Sequence, residues 1–188
     1  MKITSDKTEF VFSSENLLKI QEIIKKYPAH NSQSAVMPLL DLAQRQNNNY
    51  LSGAAIETVA QILNMPSIRV FEVASFYTMY NLKPVGKYHI QVCGTTPCML
   101  CGAEDILKLC ESELGIKKGE TTPDGNFSIT EVECLGACVN APVIQINDDY
   151  YEDLSADAVK QIIADLKNGK QPKVGSQTGR QASQAAKC

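Results

Sequence analysis

The sequence lacks the features that would place a protein in a membrane or on nucleic acid. No stretch approaches the roughly 18 consecutive apolar residues that a spanning helix needs, and the residues after Met1 include no apolar segment typical of a secretion signal. The formal net charge is −3, so there is no basic excess to bind nucleic acid or an anionic membrane surface. We therefore expect a soluble protein that is not exported, binds no nucleic acid and does not insert directly into a membrane.

Motifs for nucleotide binding and for histidine chemistry are also missing. No glycine-rich loop of the kind that cradles phosphates is present, so a nucleotide would have to be held by a partner chain. The two histidines, His30 and His89, lie in a proline-containing turn and in a strand-like stretch, without the paired Asp or Ser motif of general-base catalysis. We expect no catalytic residue in this chain alone.

The cysteines are clustered along the sequence in an unusual pattern. Of the seven cysteines, six lie between positions 93 and 138, and four of these form the pairs Cys93-x4-Cys98 and Cys134-x3-Cys138. An odd number argues against a closed disulfide framework, and clustered thiols in a reducing compartment are more often metal ligands or catalytic groups. The spacing therefore predicts one metal site made by both pairs.

Three kinds of site fit these cysteines. Four thiolates can hold either the two irons of a [2Fe–2S] cluster or a single zinc ion, and the spacing discriminates weakly between them. A third possibility is a disulfide oxidoreductase, because Cys98 and Cys101 form a C-x-x-C motif at the start of a predicted helix. In each case Gly94 and Gly136 are predicted to give the loops backbone conformations that other residues resist.

The periodicity of apolar residues predicts a fold of the α+β class in two domains. Residues 1–82 are predicted to form an N-terminal helical bundle, residues 83–169 a domain of mixed strands and helices, and residues 170–188, which are glycine-rich and lack acidic side chains, a flexible C-terminal tail. The predicted helices are 14–27, 34–46, 53–63, 67–80, 99–114 and 155–168, and the predicted strands are 87–92, 127–132 and 143–146, with a hairpin into 150–151.

Several other residues are predicted to be part of the packed interior. The aromatic side chains near the end of the fourth helix, Phe71, Phe76, Tyr77 and Tyr80, are expected in the core of the bundle. Cys110 fits an ordinary packed thiol on a helix, and Cys188 has no evident role.

Three segments resemble one known family, the 24-kDa iron–sulfur subunits of respiratory NADH:quinone oxidoreductase, or complex I. They are 92–100 (VCGTTPCML), 133–142 (ECLGACVNAP) and 69–77 (RVFEVASFY), and the resemblance extends over about residues 15–170. It implies an N-terminal helical bundle followed by a thioredoxin-like [2Fe–2S] ferredoxin domain. The implied function is that of an electron-transfer subunit which contributes to an NADH dehydrogenase module and is not catalytic alone.

The resemblance also implies a cofactor and partners. The family's cluster ligands correspond to Cys93, Cys98, Cys134 and Cys138, which would hold one [2Fe–2S] cluster. The neighbouring subunit would carry FMN, the NADH site and a further iron–sulfur cluster, and other peripheral-arm subunits would complete the assembly. The implied location is the cytoplasmic side of the inner membrane, or the mitochondrial matrix side, held peripherally through the complex.

The sequence departs from the family pattern at Cys101, where a basic residue is expected in many relatives. The motifs also leave open whether the assembly is complex I or a soluble hydrogenase or formate dehydrogenase that uses the same module.

Overall fold

The computed structural model describes residues 9–181, which fall into two compact units. The chain passes from the first unit to the second between Val85 and Gly86. The domain boundary predicted between residues 82 and 83 lies three residues before this point. It stays a prediction. Within residues 9–181, no helix is long and apolar enough to cross a membrane.

From residue 9 to Val85, the first unit contains four α-helices and one 3-10 segment. Ser13 and Ser52 begin two of the helices, because each side-chain oxygen accepts a hydrogen bond of 3.2 Å from a backbone N–H in the first turn. The apolar faces meet in one core that includes Leu39, Leu40 and Val59. The helices are α1 (Ser14–Ile24), α2 (Val36–Gln46), α3 (Gly53–Ile62) and α4 (Ser67–Phe76), and the 3-10 segment is Ala29–Ala35.

The end of α4 differs from the prediction. Helix α4 stops at Phe76, so the chain beyond it no longer follows the helical period used to place the aromatic residues. Tyr80 is buried, but Phe76 is 77% exposed and Tyr77 is 40% exposed. The expectation that Phe76 and Tyr77 belong to the bundle core is therefore wrong. Tyr77 lies beyond the end of α4, and Phe76, two residues after buried Ala74, lies on the opposite face of the helix.

The second unit is a five-stranded mixed sheet with three helices. Its strand order is β2-β1-β3-β4-β5, in which β1 pairs with β2 in parallel and with β3 antiparallel, while β4 pairs antiparallel with β3 and in parallel with β5. The strands are β1 (Tyr88–Cys93), β2 (Phe127–Val132), β3 (Ile144–Ile146), β4 (Asp149–Glu152) and β5 (Gly175–Ser176). The helices are α5 (Thr96–Leu100), α6 (Ala103–Leu114) and α7 (Ala156–Lys167).

The core of the second unit lies between the sheet and its two long helices. Side chains at alternate positions of β1 and β2, such as Ile90, Val92 and Ile129, share one buried cluster with Ile106 of α6 and Ile163 of α7. Helix α6 also packs against α7 and against β1 and β2. This packing fixes the sheet and leaves the carboxyl end of β1 free to carry the cysteine loops.

Two elements of this unit differ from the predictions. The single helix predicted over 99–114 is broken into α5 and α6 at Gly102, whose φ of 92° lies in the left-handed region that favours glycine. Part of the predicted flexible tail is ordered, since Gly175–Ser176 pairs with β4 and the Gln177 N–H donates to the Glu152 carbonyl at 2.9 Å. Pairing along the edge of a sheet uses backbone hydrogen bonds and needs no apolar side chains. Residues 182–188 of the predicted tail lie outside the described residues.

We expect Tyr80→Phe to destabilise the first unit, because the Tyr80 hydroxyl donates to the Met37 carbonyl at 2.9 Å. Loss of one such bond should lower the free energy of unfolding by about 1 kcal/mol at neutral pH. Burial, with a contribution from Asp41, raises the pKa of Tyr80 to about 12 from 10.0. The stabilisation is thus fully present below pH 10.0 and is lost as pH rises toward about 12.

Chemical denaturation followed by circular dichroism, at neutral pH and at alkaline pH, measures this difference. The matched control is Tyr77→Phe, because Tyr77 is half-exposed and its hydroxyl has no hydrogen bond among the described residues. An equal loss of stability in both variants at neutral pH would contradict the role given to the Tyr80 hydroxyl.

Candidate metal centre

The first pair of cysteines lies at the end of β1 and in the short helix that follows. Cys93 is the last residue of β1, and Cys98 lies in α5. Both are buried, in a small apolar cluster with Ala103 and Val143. Gly94 between them does not have a positive φ; a Cβ there would lie 2.6 Å from the Glu131 carboxylate. This carboxylate is the far end of a flexible, partly exposed side chain that can move away, so the predicted conformational role of Gly94 is not found in the structure.

The second pair lies in the loop between β2 and β3. Cys134 follows β2, and Cys138 begins a 3-10 turn over Cys138–Asn140. Their Sγ atoms are 3.3 Å apart, with Cys134 exposed and Cys138 half-buried. Gly136 lies between them with a φ of 86°, so the predicted conformational role of this glycine is found in the structure.

The pairing of the strands brings the two pairs together. Because β1 and β2 are parallel, Cys93 at the end of β1 lies opposite Val132 at the end of β2. Strand β3 returns antiparallel along the other side of β1, with Ile144 opposite Val92. Residues 133–143, which connect β2 to β3, must therefore cross the carboxyl end of β1. Both loops that carry the predicted ligands therefore lie at this end of the sheet, where the Leu135 N–H donates a hydrogen bond to Cys93.

Hydrogen bonds and burial set the protonation of the first pair. Burial would raise the pKa of Cys93, but hydrogen bonds from the Thr95 hydroxyl and from the backbone N–H groups of Thr95 and Leu135 outweigh it and hold this pKa below its usual value. Burial, together with the adjacent Cys93, raises the pKa of Cys98 to about 12. The pKa values of the two thiols in this pair are therefore shifted in opposite directions.

The pKa values of the second pair are also shifted in opposite directions. A hydrogen bond from the Gly136 N–H, 3.4 Å from Cys134 Sγ, is the main cause of a lowered pKa of Cys134, helped by Cys138 and Thr95. The contact with the Cys134 sulfur, followed by burial, raises the pKa of Cys138. In each pair, one sulfur thus has a lowered pKa and its partner a raised pKa.

The thiols are arranged as two pairs of soft sulfur donors. Within residues 9–181 there is no group of three or more Cys, His, Asp or Glu side chains placed to hold one metal ion. Two pairs of thiolates suit both a [2Fe–2S] cluster and a structural zinc ion, so the pairing does not choose between them.

The arrangement does not favour a dithiol enzyme at Cys98 and Cys101. A reactive cysteine in such an enzyme is partly exposed and has a lowered pKa. Cys98 is instead 1% exposed and has a raised pKa, whereas Cys101 is exposed at the end of α5. The two residues of the C-x-x-C motif thus lie in different environments.

The remaining predicted residues have structural surroundings. Cys110 is fully buried in the core of the second unit, as expected of a packed thiol. His89 is buried in β1, and its Nε2 is 2.9 Å from the Thr130 hydroxyl. Cys188 lies outside the described residues.

Sequence reasoning missed two residues that support the site. The Thr95 hydroxyl is 3.3 Å from Cys93 Sγ and also interacts with Cys134, so it bridges the two pairs. The position of Thr95 between Cys93 and Cys98 in the sequence could have indicated this role. Tyr150, in β4, donates its hydroxyl to the Leu135 carbonyl at 2.7 Å and so holds the second loop. No local motif points to Tyr150, because the contact depends on the sheet.

The fold and the thiols define a class of protein: a thioredoxin-like domain with a four-thiol site, preceded by a helical unit. Residues 20–167 match the family described as thioredoxin-like [2Fe–2S] ferredoxin. The predicted fold class is thereby confirmed.

Two curated relatives narrow this class. The chain is 63% identical over 161 residues to the E subunit of NADH-quinone oxidoreductase from Rickettsia conorii, covering 86% of this chain and 96% of the relative. It is 51% identical over 180 residues to NADH dehydrogenase [ubiquinone] flavoprotein 2, mitochondrial, of Dictyostelium discoideum, covering 96% of this chain and 73% of the relative. The chain therefore belongs to the thioredoxin-like [2Fe–2S] ferredoxin family, in the branch of the E subunits of NADH-quinone oxidoreductase.

A solved structure shares the fold at lower sequence identity. The crystal structure of NAD+-reducing [NiFe]-hydrogenase in the H2-reduced state matches with a TM-score of 0.61 and 21% identity, covering 70% of this chain and 22% of the hydrogenase chain. At that identity the match shows a common fold and nothing further.

The environments of the other cysteines predict their reactivity. In the folded protein with Cys188→Ser, iodoacetamide should modify Cys101, which is exposed, and should not modify Cys110. Burial raises the pKa of Cys110 to about 12, and only the thiolate is nucleophilic, so Cys110 should react only after unfolding. Peptide mass spectrometry before and after denaturation measures this, and modification of Cys110 in the native protein would contradict the packing of α6.

Proposed function

We propose that Cys93, Cys98, Cys134 and Cys138 hold one [2Fe–2S] cluster, which makes this chain an electron-transfer subunit of an NADH-quinone oxidoreductase. The observation that carries the proposal is the meeting of two thiol pairs at the end of β1, in a chain of the [2Fe–2S] ferredoxin family. A bound [2Fe–2S] cluster accepts or donates one electron at a time.

The chain's own residues would prepare the site for such a cluster. Backbone N–H groups of Thr95, Leu135 and Gly136 point at the sulfurs, where they stabilise negative charge. Ala103 and Val143 line the buried side and keep water from Cys93 and Cys98. Tyr150 fixes the second loop through the Leu135 carbonyl. Together these groups tune the affinity of the site for electrons.

FMN and NADH are proposed to bind to a partner subunit, which also carries a further iron–sulfur cluster. This chain has no glycine-rich phosphate loop, and NADH delivers two electrons as a hydride while a [2Fe–2S] centre takes one. A flavin must therefore stand between NADH and this chain. Both curated relatives are named as parts of NADH dehydrogenases that reduce quinones, which favours complex I over a hydrogenase or formate dehydrogenase.

The proposed location follows from the same assembly. With the FMN-bearing subunit and other peripheral-arm subunits, the chain would lie on the cytoplasmic side of the inner membrane, or on the matrix side in a mitochondrion. One of the relatives is mitochondrial.

Replacing single ligands tests the site. Cys93→Ser, Cys98→Ser, Cys134→Ser and Cys138→Ser should each lose or strongly alter the cluster, because a hydroxyl replaces a thiolate donor. Iron content and visible absorption of the purified chain measure the effect, and about two irons per chain are expected for the unaltered protein.

Cys101→Ser and Cys110→Ser are the matched controls, since neither thiol belongs to the two pairs. Both should retain the iron and the spectrum of the unaltered chain. A Cys101→Ser protein without iron would overturn the ligand assignment, and zinc in place of iron would overturn the cluster type.

The division of labour between two chains gives a further prediction. The purified chain should not oxidise NADH at catalytic rates, because the flavin that splits the hydride's electron pair is proposed to bind to the partner subunit. Mixed with the FMN-bearing subunit, it should become part of an NADH-oxidising unit, and its reduced cluster should be visible by electron paramagnetic resonance if its potential is within reach of the donor.

A mixture that contains Cys134→Ser in place of the unaltered chain is the control, and it should lack the signal of this cluster. NADH oxidation by the isolated chain with bound FMN would contradict the proposed division.

A further inference from the structure

The segment after α7 returns to the loop that carries Cys138. Strand β5 pairs with β4, with Gly175 opposite Tyr151 and Ser176 opposite Glu152. This pairing places Arg180 beside Asp153, the residue that follows β4. The C-terminal segment therefore reaches the 3-10 turn Cys138–Asn140 from behind, although it lies about forty residues away in sequence.

Asp153 is the centre of this contact. Its side chain is only 9% exposed, and its backbone has a φ of 53°. Its carboxylate accepts hydrogen bonds from Asn140 Nδ2 at 2.8 Å, from Ser176 Oγ at 2.5 Å and from Arg180 Nη2 at 2.6 Å. The Asp153 N–H also donates to the Asn140 carbonyl at 2.7 Å. Asn140 is thus held by both the side chain and the backbone of Asp153.

Arg180 completes the contact from the other side. Its guanidinium donates to the Asp153 carboxylate and, through Nη2, to the Val139 carbonyl. Its own carbonyl accepts a longer hydrogen bond of 3.4 Å from Asn140 Nδ2. Both residues that directly follow Cys138 are therefore hydrogen-bonded to Arg180: Val139 through the guanidinium, which also contacts Asp153, and Asn140 through the Arg180 backbone carbonyl.

The chemistry of a buried carboxylate makes this network cooperative. Burial would raise the pKa of Asp153, but Arg180, Ser176 and Asn140 together hold it below its usual range. Removal of Arg180 would leave a nearly buried charge without its cation, which is strongly unfavourable. The loop would then have to move to hydrate Asp153, and Val139 and Asn140 would move with it.

We propose that Asp153 and Arg180 form a clasp that positions Cys138, so that the C-terminal segment helps to set the geometry of the cluster site. This inference rests on the proposed function, because it gives a role to residues that contact none of the four ligands. Asp153 and Arg180 are positioning residues: they act on Cys138 through Val139 and Asn140. The Sγ–Sγ distance of 3.3 Å between Cys134 and Cys138 depends on that turn.

The test compares Arg180→Met and Arg180→Lys in the full chain with its cluster. Arg180→Met removes the charge and the fork, while Arg180→Lys keeps the charge but cannot reproduce the planar fork between Asp153 and Val139. The readouts are the rate of iron release to a chelator, the g values of the reduced cluster by electron paramagnetic resonance, and the midpoint potential. Loss of groups that orient metal ligands typically weakens a site by about 10–100-fold.

We expect Arg180→Met to release iron about tenfold faster or more, with shifted g values, and Arg180→Lys to lie between it and the unaltered chain. Arg69→Met is the matched control, because Arg69 is also paired with a carboxylate, Glu72 at 2.8 Å, but on the exposed surface of α4. It should be indistinguishable from the unaltered chain in all three readouts.

Unchanged iron release, g values and potential in Arg180→Met would overturn the clasp, even if that variant were less stable to heat. If Arg180→Met does not fold, Arg180→Lys decides in the same way. Iron content of the unaltered chain separates the two proposals. If the unaltered chain holds no [2Fe–2S] cluster, both proposals are wrong. If it holds the cluster and neither Arg180 substitution changes the three readouts, only the clasp is wrong.

Discussion

The position of β1 between a parallel and an antiparallel neighbour is the constraint on which the site depends. Because Cys93 lies opposite Val132 and Val92 lies opposite Ile144, the chain between β2 and β3 has to cross the carboxyl end of β1. Side chains at the end of a central strand and in a loop that crosses it must meet. Two thiol pairs that are distant in sequence are brought to the same end of the sheet by backbone pairing.

The same constraint gives the site two unlike sides. Cys93 and Cys98 lie against the apolar cluster behind the sheet's end, whereas Cys134 is exposed in the crossing loop. Under the proposed function, an electron would approach or leave on the side of Cys134, since that side is nearer to the surface. Burial on one side limits the movement of the first pair, while the second pair depends on Gly136, Tyr150 and the residues around Asn140 for its position.

Local signals predicted the elements well and singled out the four candidate ligands, whose role stays a prediction. The helical periods of the first unit, the strands around the cysteines and the spacing of the two pairs are all properties of short stretches, and the structure has these elements near the predicted bounds. The break of the helix at Gly102 could also have been suspected, because glycine weakens a helix interior. The exposure of Tyr77 could not, since it depends on where α4 ends and the backbone changes direction.

Amino-acid composition was a poor guide to the structure of the C-terminal segment, because the contacts that order this segment are with residues distant in sequence. Residues 170–181 contain few apolar side chains, and a segment of that kind is expected to stay mobile when it has no core to join. Order comes here from a different source: the open edge of β4 offers backbone hydrogen bonds, and nearly buried Asp153 requires a cation. Neither requirement is visible in the segment itself, because both belong to a strand more than twenty residues earlier. A buried carboxylate beside an unpaired sheet edge can therefore bind and order a polar segment, although the hydrophobicity of that segment predicts no structure for it.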